Sequence, residues 1–138
     1  MYDLSKFLKA QEWHYQNALA EIKSGHKVSH WIWYIFPQLK ALGKSVTAQN
    51  YGIENLDEAK EYLQDKILRE RLLEITQALL QLESNDIEYI MGSSIDAVKL
   101  RSSMTLFHLA EPTCENFSKV IEKYFGGQLD SKTVNLCK

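Results

Sequence analysis

The sequence predicts an all-α protein: one compact domain over residues 1–138, built from about seven to eight helices, several of them short. Three observations carry that reading. Apolar residues recur at the 3.6-residue period of a buried helical stripe along most of the chain. Capping residues stand where those stripes begin, and glycine or proline stands where they end. No stretch holds the two-residue alternation of a strand, and no β–α–β rhythm, internal repeat or low-complexity segment is present.

Taken in order, Asp3 caps a first helix to about Ser24, stopped by Gly25. Its stripe is Leu4, Phe7, Leu8, Tyr15, Ala18, Leu19 and Ile22, with Gln11 in the gap where a leucine is the plain choice. Ser29 caps a short helix, Trp31 to Phe36, which ends before Pro37. Residues 39–43 read as a turn, and Ser45 caps a brief helix through Tyr51. Asn55 followed by Glu58 is a capping signature that opens a helix through Gln64. Asp65 starts a long scaffold helix to about Glu83. The run Asn85-Asp-Ile-Glu88 caps a short helix ending at Gly92, and Ser94 caps one that runs to about Ala110. Thr113 starts a helix through Phe125, closed by Gly126 and Gly127, and Asp130 caps a last turn through Leu136.

A chain of 138 residues buries a core without staples, and 45% apolar with 25% charged residues is ordinary for a globular protein. The longest apolar run, Ile32 to Pro37, is far short of a membrane span, and the N-terminus lacks the pattern of a signal peptide. A cytoplasmic protein is the expectation, with Cys114 and Cys137 as free thiols. The net charge of −2 argues against a nucleic-acid binder. Its distribution is uneven. No acidic residue lies between Glu21 and Glu54, a stretch holding Lys23, Lys27, Lys40 and Lys44; a second acid-free run, Ala97 to Ala110, holds Lys99, Arg101 and His108. Two such stretches point to an anion, against the plain alternative that these lysines are solvated surface.

The densest motif is Ser29-His-Trp-Ile-Trp-Tyr-Ile-Phe-Pro-Gln38. Aromatic side chains bury large areas and fix geometry, so this segment lies in the core or lines a pocket. Trp31, Ile32, Ile35 and Phe36 suit a core; the polar members His30 and Gln38, with Gln11, carry the functional question. Gln11 reads first as a structural bridge and second as a ligand-facing amide. Aromatics beside lysines also fit an RNA platform, but the motif is half aliphatic and the chain net acidic.

The second motif is Lys99-Leu-Arg-Ser-Ser-Met-Thr-Leu-Phe107. On a helix Lys99 meets Ser102 and Ser103 at i+3 and i+4, yet the Ser-x-x-Lys order of a Ser–Lys nucleophile is absent. Anion recognition fits better: Arg101 offers a planar fork, with Ser102, Ser103 and Thr105 as donors. Lys99 and Arg101 are not on one helix face, so one of them points inward. His26 and His30 are separated by a helix boundary and no carboxylate or cysteine completes a metal site, so no metal or cofactor is expected. Phosphate-binding glycine motifs and a nucleophile elbow are absent.

These two motifs, with the start Phe7…Ala10-Gln11 and the closing Tyr124-Phe-Gly-Gly127, resemble a bacterial family, the domain of unknown function numbered 1810, over nearly the whole chain. The label calpastatin that some members carry does not suit a sequence with so few disorder-promoting features. The resemblance implies a small all-helical domain and no established activity; by analogy it leans toward NAD- or ADP-ribose-like ligands.

The expected site is therefore a pocket for a small anionic, nucleotide- or ADP-ribose-like ligand. Trp31, Trp33 and Phe36 wall it, Lys99 or Arg101 with Ser102 and Ser103 holds the charge, and Gln11 and Gln38 orient polar edges. His30 is the candidate general acid or base. The alternative is a non-catalytic interaction module whose aromatic motif is core. Oligomeric state is not legible.

Overall fold

The computed structural model describes residues 1–138 and contains nine α-helices and no strand. They are α1 (Ser5–Lys23), α2 (Ile32–Ile35), α3 (Val46–Asn50), α4 (Leu56–Gln64), α5 (Lys66–Leu80), α6 (Ile87–Ile90), α7 (Ser94–Ala110), α8 (Glu115–Phe125) and α9 (Ser131–Leu136). A 3₁₀ turn, Lys40–Leu42, sits where the sequence reads as a turn. The closing turn foreseen at Asp130 is α9, and it brings the count to nine.

Side-chain caps fix most of the helix starts. Ser45, Asn55, Asp65 and Asp130 accept from Ala48, Glu58, Leu68 and Thr133 N–H groups. The starts of α1 and α8 have no side-chain cap, with Leu4 and Cys114 rather than Asp3 and Thr113 at their N-caps. Two side-chain caps shift by one residue from the expected position: Asp86 rather than Asn85 caps α6, and Ser93 rather than Ser94 caps α7. In both pairs the neighbour is a competent cap by type, and the local backbone decides. Ser29 caps nothing; both its donors are taken by Glu21, and α2 starts at Ile32 without a side-chain cap.

Helix α7 is the axis of the fold, packed by α2, α4, α6, α8 and α9. Its residues Ser102 to Phe107 are all buried, and a helix covered on most sides loses the one-sided apolar stripe. A chain of rings threads the core across four helices: Phe7 to Tyr62 at 5.3 Å, Tyr62 to Phe107 at 5.1 Å, and Phe107 to Phe117 at 5.8 Å between centroids. Trp31 and Phe36 are each 1% exposed and pack at 6.1 Å. The central aromatic motif thus supplies core, as its aliphatic members suggest.

Two glycines set the loops around α7. Gly52 packs on Lys40, where a Cβ would meet the Lys40 Cα at 2.4 Å, and this approach lets Leu39 and Ile53 form a parallel bridge. Gly92 has φ +84°, and a Cβ there would stand 2.8 Å from the Lys27 carbonyl oxygen. No helix is long and apolar enough to cross a membrane.

Candidate functional site

The end of α1 places the aromatic motif through one carboxylate. Glu21 is 9% exposed and accepts from the Val28 N–H (2.9 Å), the Ser29 N–H (3.0 Å), the Ser29 hydroxyl (2.6 Å), the Asn17 amide (2.8 Å) and the Trp31 indole N–H (3.0 Å). Burial pushes this carboxyl's pKa up, but the bonds from Ser29, Val28 and Trp31 outweigh it and hold the pKa at about 2. The loop between α1 and α2 is wrapped around a single anion.

Lys27 ties that loop to α7. It is 6% exposed, pairs with Asp96 at 2.8 Å, donates to the Ser29 carbonyl at 2.6 Å and lies 5.0 Å from the Trp31 ring centre. A small cavity of about 270 Å³ opens beside this pair and is lined by His30, Ser93 and Asp96 among others. His30 stands here, exposed, with its carbonyl accepting from the Tyr34 hydroxyl.

The larger cavity, about 430 Å³, lies on the other side of the first turn of α7. Helix α7 contributes Ser94, Ile95, Val98, Lys99 and Ser102; the segment after α2 contributes Gln38, Leu42 and Lys44; the start of α9 contributes Asp130 and Lys132. Three lysine side chains therefore line one concavity. Lys44 and Lys132 take part in no ion pair, and Lys99 has only Asp96 at 4.0 Å, a carboxylate already held by Lys27. The single carboxylate in the lining, Asp130, accepts from the Thr133 N–H and hydroxyl and so caps α9. The positive end of α7, whose first N–H groups have no intrahelical acceptor, adds to the same potential.

Of the residues expected from the sequence, the cavity brings together Gln38, Lys99 and Ser102. Lys99 Nζ also lies 5.4 Å from the Trp33 ring centre, which joins the two motifs. Trp33 itself does not line the cavity and is half-buried, with its indole N–H unpartnered. Trp31 and Phe36 are core. Gln11 is 2% exposed and bridges α1, α2, α4 and α5: its amide donates to the Tyr34 carbonyl (2.7 Å) and the Tyr62 hydroxyl (2.9 Å), and its oxygen accepts from Arg71 (3.4 Å). Arg101 points away from the cavity and donates to the carbonyls of Gln128 (2.8 Å) and Leu129 (3.0 Å). Ser103 is fully buried with an unpartnered hydroxyl. His30 belongs to the smaller cavity.

Sequence reasoning passed over Lys132, Ile95 and Val98, read Asp130 only as a helix cap, and counted Lys44 only as a charge. Lys44 had a signal, its place in the acid-free stretch. The place of Lys132 and Asp130 in the cavity had none, because only the fold carries α9 to α7. No cluster of three or more His, Cys, Asp or Glu side chains is placed to hold a metal.

The sequence matches the family described as "Protein of unknown function (DUF1810)" over residues 1–137. A crystal structure of the conserved hypothetical protein Rv1873 from Mycobacterium tuberculosis is similar, with 43% sequence identity and a TM-score of 0.94, covering 99% of this chain and 96% of that one. No functionally curated protein matches the chain.

Proposed function

We propose that this chain, which belongs to the DUF1810 family of proteins of unknown function, binds a small organic anion in the cavity between α7, residues 38–44 and α9. The observation that carries this reading is the convergence of Lys44, Lys99 and Lys132 on one cavity whose only carboxylate is already used as a helix cap. Like charges gathered in a concavity raise the local potential and attract counter-ions, and two of the three, Lys44 and Lys132, take part in no ion pair. Ser102 and Gln38 add hydrogen-bonding groups with fixed positions. The cavity is within the size range of small-molecule sites.

Binding requires nothing beyond this lining. Catalysis by His30 requires more, because His30 lines the second cavity, across the first turn of α7. A ligand held by the lysines must extend over Ile95, which lines both cavities, to bring a reacting atom to the imidazole. His30 is accordingly proposed as general acid or base only for an extended ligand, including nucleotide- or ADP-ribose-like compounds.

One observation favours a second reading. Ile95 and Val98 are apolar and mostly exposed at the cavity's edge, as in a surface that docks another protein. Light scattering and cross-linking separate this reading by detecting a stable assembly that buries those side chains.

The anion reading is tested by thermal unfolding at fixed ionic strength with a panel of organic phosphates, nucleotides, ADP-ribose and dicarboxylates. A ligand at about a hundred times its dissociation constant stabilises by about 2.7 kcal/mol, a shift of several degrees. A flat panel at millimolar concentrations sinks it.

A further inference from the structure

We infer that the ligand of this cavity is a phosphate monoester with an apolar or aromatic body, held head-first on the lysines and flat along α7. The inference rests on the anion-binding reading above and assigns the chemical class of its ligand. Two features of the lining carry it.

The first is charge. Lys44, Lys99 and Lys132 give +3 and Asp130 gives −1, so the lining carries +2. Asp96 does not change this sum, because Lys27 neutralises it at 2.8 Å. A phosphate monoester carries about −1.5 to −2 at neutral pH and offers three acceptor oxygens, one for each ammonium group. A monocarboxylate leaves a surplus positive charge, and a nucleoside di- or triphosphate brings more negative charge than the lining balances.

The second is the apolar wall. Ile95 and Val98 stand one helical turn apart on α7 and are 67% and 58% exposed, and Leu42 lines the same cavity. Branched aliphatic side chains left this bare beside three lysines gain from a ligand that covers them. A bare inorganic ion covers none of them, whereas the body of an ester does. The two features lie on the same face of α7, with Ile95, Val98, Lys99 and Ser102 at i, i+3, i+4 and i+7, so one molecule can meet both. Ser102, 4% exposed and lining the cavity, is placed to donate to the phosphate.

The test is calorimetric titration of the full chain at constant ionic strength with inorganic phosphate, phenyl phosphate and 1-naphthyl phosphate. It is repeated on Lys132→Met and on Ile95→Ser/Val98→Ser, both checked for native circular dichroism. The wild type is expected to bind the naphthyl ester at least about tenfold more tightly than inorganic phosphate, with the phenyl ester between. Ile95→Ser/Val98→Ser should bring the three affinities together, and Lys132→Met should lower all three by a common factor. Equal affinities for all three phosphates in the wild type, lowered together by Lys132→Met, would overturn this inference and leave the anion site standing. Ester binding that Lys132→Met leaves unchanged, or no binding of any phosphate at millimolar concentrations, would overturn both.

Discussion

The ammonium of Lys99 lies 5.4 Å from the centre of the Trp33 ring, so a single contact joins the aromatic motif after α1 to the basic face of α7. A cation over an aromatic face is attracted by the ring's quadrupole, so the contact contributes to holding Lys99 in the lining of the cavity.

Replacing Trp33 with phenylalanine keeps a ring beneath Lys99 and removes an indole N–H that has no partner. Since an unpaired buried donor carries a desolvation cost, Trp33→Phe is expected to change stability by less than about 1 kcal/mol. Trp33→Ala is expected to cost about 2–3 kcal/mol through lost packing. Urea unfolding of both variants checks the difference.

Glu21 makes the fold acid-sensitive in a defined window. Its folded pKa, about 2, lies below the ordinary value of 4.5, so its contribution is complete above about pH 4.5 and is lost as the pH falls through about 2. Glu21→Gln places amide hydrogens against the Trp31 and backbone donors and should cost about 2–4 kcal/mol at neutral pH. Unfolding free energies from pH 7 down to pH 2 should show the gap between wild type and variant narrowing below about pH 4.5. A constant gap would contradict the role given to the carboxylate.

Lys27 and Asp96 form a largely buried ion pair between the α1–α2 loop and the start of α7. Removing one partner leaves the other without compensation, so Lys27→Met and Asp96→Asn should each cost about 3–5 kcal/mol. The double variant should cost clearly less than the sum. A double-mutant cycle by denaturant unfolding measures the coupling, and strict additivity would show that the pair acts only through separate contacts.

Arg101 acts on the cavity from outside it. Its guanidinium holds the Gln128 and Leu129 carbonyls, directly before the Asp130 and Lys132 that line the cavity. Arg101→Ala should destabilise by about 1–3 kcal/mol and speed amide exchange across α9. Arg101→Lys should not restore protection, because one ammonium cannot span two carbonyls as the planar fork does. Unchanged exchange in residues 130–137 would remove Arg101 from this role.

The helices were legible because their signals are local. Asn55, Asp65 and Asp130 act as caps within three residues of their partners, and the α1 and α5 stripes need only the 3.6-residue period. The short α2 was legible for the same reason, being bounded by Pro37. What its side chains do was not. Ser29 reads as a cap, yet Glu21 takes it, and Glu21 draws Val28 and Trp31 from across a loop no period describes. Gln11 announced itself as polar in an apolar stripe, and the structural bridge weighed first is what its bonds to Tyr34 and Tyr62 make. The cavity was half legible. Lys99 and Ser102 share a helix face that can be computed from spacing, and Arg101 falls off it. Lys44 and Lys132 are far apart in the sequence and line one cavity only once α9 docks on α7, so no local pattern pairs them.

The most direct test of the anion site is thermal unfolding of the wild type and of Lys44→Met/Lys132→Met with inorganic phosphate at constant ionic strength. The double variant keeps Lys99 on Trp33 and leaves the core untouched. The wild type should be stabilised by phosphate in a saturable manner, and the variant should lose most of that shift while unfolding cooperatively without the ion. Equal shifts in the two proteins, or none in either, would contradict the site.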